Sequence, residues 1–308
     1  MKQPSVDILL PVYRPDPSFR NLLLRLTEQR MRADHILVLN VDERFWDPSL
    51  VPDLPEIEVF QVEKRYYDRG YLRDMGAGFS HADLLVCLDQ RAVPADSRLL
   101  SSLSRPFRDP SVKAVFGAWE PEPGTDVLSA VLEECRFPEE RYRFTAADLP
   151  RLGSSFCFLS NVCAAYDRAF LQEAGGFTSP CICGEDELCA GRVLRAGMEI
   201  VYTPSACVRY SPPETSQLRR EFDRGVAQAL HPEIYGEPDL KEEEKRYAAL
   251  VEEALREAGA SGRIPEFRNL HREALIGRKL GRRFRSLPPA AVKRLTRNRL
   301  FWTWQGGE

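Results

Sequence analysis

The chain contains 308 residues, of which 43% are hydrophobic and 29% are charged, as is typical of a globular protein with a sizeable core. Its formal net charge of -3 argues against nucleic acid as a partner. No segment approaches the roughly 18 to 20 uncharged apolar residues of a membrane-spanning helix, and the opening residues MKQPSV lack the apolar run of a signal peptide. We therefore expect a cytoplasmic protein.

The eight cysteines include no C-x-x-C pair. In a chain of this length without a signal peptide, they do not indicate a disulfide framework. Cys181, Cys183 and Cys189 form the only cluster, and their spacing matches no common zinc site. We expect buried free thiols, with a zinc-binding or redox cluster as the alternative.

Apolar runs alternate with amphipathic segments through the first 120 residues. The predicted strands are 6–12, 35–41, 57–62, 82–89 and 114–119, and the predicted helices between them are 17–29, 71–80 and 96–104. This alternation predicts βαβ units and a parallel sheet, whose ligand lies beyond the carboxyl ends of the strands. A G-x-G-x-x-G fingerprint is missing after the first strand, which argues against a dinucleotide-dependent dehydrogenase.

The second half of the chain has a different pattern. A helix over 168–174 ends at Gly175-Gly176, and a helix over 185–196 precedes a strand over 199–208. From residue 214 onward the chain is predicted to be all-helical, with a charged stretch over 237–262. We accordingly divide the chain into a sheet-containing domain, 1–212, and a helical C-terminal extension, 213–308.

Motifs in the same order along nearly the whole chain resemble glycosyltransferase family 2, of the GT-A type. The general motifs are ILLPVYRPD at 8–16, VCLDQRAVP at 86–94 and AGGFTSPCICGEDELCAGRVLRAG at 174–197. Further segments are similar to those of bacterial rhamnosyltransferases, namely DLPRLG at 148–153, SNVCAAY at 160–166 and RREFDRG at 219–225.

The resemblance implies both a fold and a reaction. The fold is a Rossmann-like, mostly parallel mixed sheet flanked by helices. The reaction is inverting transfer of a sugar from a nucleotide-sugar donor to a surface-polysaccharide or lipid-linked saccharide acceptor, with L-rhamnose from dTDP-rhamnose as the example given by the subgroup. A catalytically inactive module that binds a nucleotide sugar, or scaffolds a glycan assembly complex, is the alternative.

Asp186 in the Gly184-Glu185-Asp186 motif is the catalytic base that the resemblance implies. An inverting transferase needs a carboxylate that takes the proton of the acceptor hydroxyl as the oxygen attacks. The alternative interpretation is structural, because acidic residues at a helix N-terminus are stabilised by the helix dipole.

Asp89-Gln90-Arg91 departs from the pattern of the family at a metal ligand. GT-A enzymes usually hold Mg²⁺ or Mn²⁺ here with a carboxylate, but Arg91 stands at the acidic position, and no His occurs in 208–213, where the family has a further ligand. Three interpretations stay open: Arg91 neutralises the diphosphate without a metal, Asp89 holds a metal alone, or the site is inactive.

The remaining candidate residues fall into two groups. The donor-binding candidates are Pro11, Val12, Tyr13, Asp42, Arg69, Arg73, Asp89, Gln90 and Arg91. The candidates for the acceptor or diphosphate region are Trp119, Asn161, Glu185, Arg219, Arg220 and Asp223. Structural alternatives are a turn-capping role for Asp42, a solvated basic face for Arg69 and Arg73, a core position for Trp119, and an i,i+4 ion pair between Arg219 and Asp223.

The C-terminal tail is strongly basic. Nine Lys or Arg residues and no acid occur in 278–299, with interspersed apolar residues and two tryptophans, Trp302 and Trp304, close behind. Such a segment resembles an interfacial anchor on an anionic membrane surface. A helix packed on the protein body is the alternative, and Pro288-Pro289 divides the segment in two.

Overall fold

A nine-stranded mixed sheet forms the centre of the molecule in the computed structural model, which describes residues 3–137, 140–210, 216–236 and 240–305. The strands are β1 (Val6–Tyr13), β2 (His35–Val41), β3 (Ile57–Val62), β4 (Leu84–Leu88), β5 (Val93–Pro94), β6 (Val112–Glu120), β7 (Tyr142–Phe144), β8 (Cys163–Asp167) and β9 (Glu199–Arg209). Their spatial order is β3-β2-β1-β4-β8-β6-β9-β5, and β7 pairs with β9.

The N-terminal half of the sheet is parallel, as predicted. Strands β3, β2, β1 and β4 all run in the same direction. Residues 6–10 of β1 and all of β4 are buried, which explains why these strands are continuous apolar runs instead of alternating patterns.

Antiparallel pairing enters the sheet at β8. This strand lies between β4 and β6 and runs opposite to both. Its sequence, CAAYD, is short and rich in small residues, so the prediction contained no strand there. The same holds for β5 and β7, which have two and three residues.

Helices cover the sheet and continue into the extension. The first six are α1 (Ser18–Thr27), α2 (Arg69–Phe79), α3 (Leu99–Ser104), α4 (Val127–Glu134), α5 (Arg168–Glu173) and α6 (Glu185–Arg195). The extension contains α7 (Gln217–Leu230), α8 (Pro232–Tyr235), α9 (Lys241–Glu257), α10 (Ile264–Arg282), α11 (Pro289–Leu295) and α12 (Arg299–Gln305). Within 216–236 and 240–305 there is no strand, which confirms the all-helical prediction.

Buried charged side chains hold the extension against the sheet-containing part. The Arg278 guanidinium in α10 donates to the Glu221 carboxylate of α7 and the Glu244 carboxylate of α9, each at 2.6 Å. Glu244 in turn accepts from the backbone and side chain of Ser155. The predicted division between residues 212 and 213 lies outside the described residues, and it remains a proposal.

The basic tail folds back onto the extension. Val292 and Phe301 are buried against α7, and Trp302 packs on Phe284 with ring centroids 5.5 Å apart. The apolar residues predicted for a membrane-facing stripe are therefore largely used in packing. No helix in the described ranges combines the length and apolarity needed to span a bilayer.

Candidate active site

A cleft of about 560 Å³ opens at the carboxyl ends of β1 and β4, where the parallel sheet predicts a ligand site. It brings together most of the candidate residues from the sequence. Those lining it are Pro11, Val12, Tyr13, Arg69, Arg73, Asp89, Gln90, Arg91, Trp119, Asn161, Glu185, Asp186 and Arg220.

Gln90 fixes the turn that follows β1. Its Oε1 accepts from the backbone N–H of Tyr13 at 2.7 Å, and its Nε2 donates to the Tyr13 carbonyl at 3.2 Å. The Tyr13 ring packs against Tyr67, with centroids 5.6 Å apart. Both polar ends of the Gln90 amide are thus engaged in shaping one wall of the cleft.

Arg73 and Glu185 form a buried ion pair in the wall of the cleft. The Arg73 Nη1 donates to the Glu185 Oε1 at 2.6 Å, and both side chains are less than a tenth exposed. Burial opposes ionisation of Glu185, but the Arg73 and Arg69 guanidinium groups outweigh it and hold the pKa of Glu185 below its usual value. Arg73 is therefore not on a solvated basic face.

Asp186 is held by two backbone donors at the start of α6. Its Oδ2 accepts from the Asn161 N–H at 3.0 Å, and its Oδ1 accepts from the Glu187 N–H at 2.9 Å. Gly184 precedes the helix with a φ of 75°, a left-handed conformation that favours glycine. Burial, together with the adjacent charge of Glu185, raises the pKa of Asp186 to about 6.

A second cavity of about 570 Å³ adjoins the first. Its walls come from Phe156–Ser160, the start of α6, α7 and residues 297–300 of the extension. Eight residues line both cavities, and we call them the junction: Tyr67, Arg69, Trp119, Arg136, Ser160, Asp186, Arg220 and Arg297. Asp186 lines both cavities, and it is the only carboxylate among these eight residues.

No protein-family model matches the chain, but it is similar to two curated proteins. The O-antigen chain rhamnosyltransferase RfbN of Salmonella typhimurium (strain LT2) is 26% identical over 301 residues, covering 97% of this chain and 96% of that protein. The O-antigen chain rhamnosyltransferase WbaN of Salmonella anatum is 24% identical over 302 residues, with the same coverage of both chains.

Solved glycosyltransferase structures share the fold. The mannosyltransferase PcManGT of Pyrobaculum calidifontis, in complex with GDP-Man and Mn²⁺, superposes with a TM-score of 0.55 at 19% identity, covering 99% of this chain and 84% of that one. S. aureus TarS 1-349, in complex with UDP-GlcNAc, gives 0.56 at 15% identity, covering 98% and 87%.

The chain is a glycosyltransferase with a GT-A-like fold. It resembles bacterial rhamnosyltransferases along 97% of its length, and its fold superposes on those of solved glycosyltransferases over nearly the whole chain.

The residues of this glycosyltransferase do not fit a divalent metal at the position of the family. Asp89 is the one carboxylate at the end of β4, and its Oδ1 accepts from the Arg91 backbone N–H at 3.0 Å and from the Arg91 Nε at 3.3 Å. The Arg91 Nη2 also donates to the Tyr210 hydroxyl at 3.4 Å. Among the described residues no three His, Cys, Asp or Glu side chains converge as metal ligands.

Three candidate residues of the glycosyltransferase lie outside the first cavity. Asp42 is buried at the end of β2, where its carboxylate accepts two hydrogen bonds of 2.7 Å from Arg44. Arg219 donates to the Thr296 carbonyl at 2.6 Å instead of pairing with Asp223. Asp223 lines the second cavity, where it accepts from Thr296 and from the Arg297 backbone N–H.

Trp119 combines a core position with a place in the site. Only 7% of the residue is exposed, and its Nε1 donates to the Glu133 carboxylate at 3.2 Å, yet its surface lines both cavities. The two interpretations of this residue are therefore compatible.

Two arginines that line the glycosyltransferase site could not be recognised as site residues from the sequence. Arg136 follows α4 outside every motif, and its buried Nε has no hydrogen-bond partner among the residues that the structure describes. Arg297 lies in the basic tail, where its charge was counted toward a membrane surface. Only the packing of the extension on the sheet brings both to the junction.

The cysteine cluster lies beside the Asp186 motif. All eight cysteines are free and six of them are buried. The Cys181 thiol donates to the Cys183 carbonyl at 3.1 Å, and burial raises the pKa of the Cys181 thiol well above its usual value. Protonated thiols of this kind are structural in character.

Proposed function

We propose that the protein transfers a sugar with inversion from a nucleotide-sugar donor to a polysaccharide acceptor of the O-antigen class, with Asp186 as the catalytic base. The position of Asp186 in the junction of two cavities supports this most directly. One cavity, at the strand ends, takes the donor, and the other takes the acceptor. The two similar curated proteins, both O-antigen chain rhamnosyltransferases, favour L-rhamnose from dTDP-rhamnose as the transferred sugar.

The surroundings of Asp186 match the needs of a general base. A base is most effective when its pKa lies near the working pH, and burial beside Glu185 raises the pKa of Asp186 to about 6. At neutral pH the carboxylate is then ionised, but it is a stronger proton acceptor than an exposed aspartate. Both of its oxygens are held by backbone N–H groups, so its orientation is set before substrate binds.

In the same proposal, arginine side chains neutralise the diphosphate in place of a metal. Arg91 stands where the family has an acidic ligand, and its Nε donates a hydrogen bond to the Asp89 carboxylate. Guanidinium groups pair well with phosphate oxygens, and the first cavity contains seven arginines against five acidic residues. PcManGT was solved in complex with Mn²⁺, so the metal dependence of this chain needs a direct test.

A donor panel tests the activity and the metal dependence together. The protein is incubated with dTDP-, UDP- and GDP-sugars, with EDTA or with Mn²⁺, and release of the nucleoside diphosphate is measured. We expect the protein to release nucleoside diphosphate from the sugars of one of these nucleotides in EDTA, and we expect Mn²⁺ to increase that rate only slightly. Turnover that is lost in EDTA and restored by Mn²⁺ contradicts the metal-free site, and binding without turnover of any donor supports an inactive module.

We also propose peripheral attachment to the inner face of the cell membrane, through α10 instead of the tail. Leu275 and Ile276 on this helix are 39% and 45% exposed. Two exposed cations, Arg272 and Lys279, and one exposed acid, Glu273, lie within one turn of this pair. An apolar pair flanked by cations is suited to an anionic membrane surface.

Vesicle binding tests the attachment. Exchanging Leu275 and Ile276 together for Ser should weaken binding to vesicles of phosphatidylcholine with phosphatidylglycerol. Leu24→Ser, at an exposed leucine of α1, is the matched control. Equal binding by the double variant and the control contradicts the proposal.

A further inference from the structure

Residues 296–298, which link α11 to α12, are tied down at several points, and we call them the strap. The Thr296 hydroxyl donates to the Asp223 Oδ1 at 2.6 Å, and the Arg297 backbone N–H donates to the Asp223 Oδ2 at 2.9 Å. Asn298 donates to the Ile182 carbonyl at 3.1 Å. The strap is thereby fixed both to α7 and to the segment that leads into the Asp186 motif.

Several of these contacts are buried, although the strap lies at the surface. Thr296 is fully buried and Asp223 is 3% exposed. Arg219 adds a hydrogen bond of 2.6 Å to the Thr296 carbonyl. Two of the three residues in the R-R-x-F-D segment that the sequence singled out, Arg219 and Asp223, therefore hold the strap and leave only Arg220 to face the first cavity.

The strap presents the Arg297 side chain to the junction. This guanidinium lines both cavities and is exposed to solvent. In the described part of the chain it forms no hydrogen bond or ion pair, although its own backbone N–H is fixed by Asp223. Partial desolvation by the surrounding protein, with Arg69 nearby, lowers the pKa of Arg297, and the opposing charge of the Asp223 carboxylate does not outweigh these effects.

The other cations of the first cavity differ in their partners. Arg73 and Arg91 pair with Glu185 and Asp89. Arg136 and Arg220 have carboxylates at 3.7 Å and 3.6 Å.

Within the described ranges, Arg69 and Arg14 resemble Arg297 in having no carboxylate within 4.0 Å, but Arg14 lies over the Phe45 ring and lines only the first cavity. The junction as a whole contains four guanidinium groups and one carboxylate. An anionic ligand with two negatively charged groups would complement the pair formed by Arg69 and Arg297.

We propose that Arg297 binds the diphosphate of the donor and of the departing nucleoside diphosphate, and that Asp223 is the residue that positions it. This inference rests on the proposed function, because it assigns the ligand of the same site. When the glycosidic bond to the diphosphate breaks, negative charge grows on the leaving oxygen, and a fixed guanidinium at the junction stabilises that charge. The helical extension thereby contributes directly to the active site.

Calorimetric binding of nucleotides in EDTA tests the role of Arg297. The probes are dTDP, UDP and GDP, each compared with its monophosphate. Arg297→Ala should weaken diphosphate binding by about tenfold to a hundredfold, the range expected for a hydrogen bond to a charged group, and it should weaken monophosphate binding less. Arg297→Lys should recover part of the loss, because lysine keeps the charge but not the forked geometry.

Arg294→Ala is the matched control, because Arg294 is an exposed arginine of α11 that lines neither cavity. It should bind the diphosphate as the wild type does. If Arg297→Ala also binds as the wild type does, the inference is overturned while the proposed function stands. If the wild type binds none of the three diphosphates, the proposed function falls and the inference falls with it.

A double-mutant cycle tests the positioning role of Asp223. Asp223→Asn should weaken diphosphate binding, because an amide cannot accept both strap hydrogen bonds. If Asp223 acts through Arg297, the double variant with Arg297→Ala binds no more weakly than Arg297→Ala alone. Losses that simply add contradict this role, since a general structural defect does not depend on the side chain at position 297.

Discussion

Adjacent carboxylates at the start of α6 have opposite electrostatic surroundings. Glu185 faces Arg73, which helps to hold the pKa of Glu185 below its usual value, whereas burial next to Glu185 raises the pKa of Asp186 to about 6. Neighbouring groups whose pKa values are driven apart in this way commonly divide the roles of charge partner and proton acceptor. Here Glu185 anchors the motif and Asp186 is the group able to take a proton.

The pH dependence of transfer should follow the ionisation of Asp186. A base acts only when ionised, so kcat should rise with pH through about 6 and then level off. Glu185→Gln removes the neighbouring negative charge, lowers the pKa of Asp186 and should move the acid limb of the profile to lower pH. A pH–rate profile of each variant measures this shift.

Glu28→Gln is the control for that profile, because it removes one exposed negative charge just after the end of α1, at a residue that does not line the cleft. The acid limb of the pH–rate profile of Glu28→Gln should coincide with that of the wild type. An acid limb that stays in place in Glu185→Gln contradicts the assignment of this limb to Asp186.

Helices α7 and α10 pack backbone against backbone. A methyl group added at Gly281 of α10 would collide with the Phe222 carbonyl oxygen of α7. Since α7 provides Asp223 for the strap and Arg220 for the junction, the separation of these two helices determines where both side chains lie.

Gly281→Ala should destabilise the protein by about 2 kcal/mol, the usual range for overpacking a tight contact, despite the higher helix propensity of alanine. Gly262→Ala is the matched control, because a methyl group there meets no atom within 4 Å, and its effect should stay within about 0.5 kcal/mol. Urea unfolding measures both. A Gly281→Ala variant as stable as the control would show that the two helices can separate at little cost.

Elements with strong local patterns are the ones that the sequence predicts. Strands β2 and β3 match their predicted bounds. The predicted helix 17–29 is α1, whose buried face consists of apolar residues at helical spacing, Phe19, Leu22, Leu23 and Leu26. Strand β8 could not be predicted, since its small residues acquire strand character only between β4 and β6. Arg297 could not be assigned to the site, because a basic residue in a basic tail is indistinguishable from its neighbours until the chain folds.

At the scale of the whole molecule, a buried charge network ties three helices of the extension together and reaches the sheet-containing part through Ser155. Arg278, with its side chain 6% exposed, bridges Glu221 and Glu244. Removing one partner from such a network leaves buried charges uncompensated, which typically costs about 3–5 kcal/mol. We therefore expect Arg278→Met to lower the free energy of unfolding by several kcal/mol, whereas Arg272→Met, on the exposed face of the same helix, should have little effect.

This loss should depend on pH. Burial disfavours the charge of Glu221, but Arg278 and Arg224 outweigh burial and hold the pKa of Glu221 far below its usual value. A lowered folded-state pKa stabilises the protein above the unfolded-state pKa of about 4.3, and that contribution is lost as the pH falls below it. Urea unfolding at several pH values should show the gap between wild type and Arg278→Met widest near neutrality and narrowing below pH 4.3. A gap that is constant with pH contradicts this account.

The central claim, that Asp186 is the base of a glycosyl transfer, is tested most directly by Asp186→Asn. Single-turnover transfer with the donor found in the panel gives the rate of the chemical step, and titration gives the donor affinity. We predict a rate lowered by about 10²- to 10⁴-fold, the contribution of general base catalysis, with donor affinity within a few fold of wild type. A variant that transfers sugar within tenfold of the wild-type rate would contradict the account.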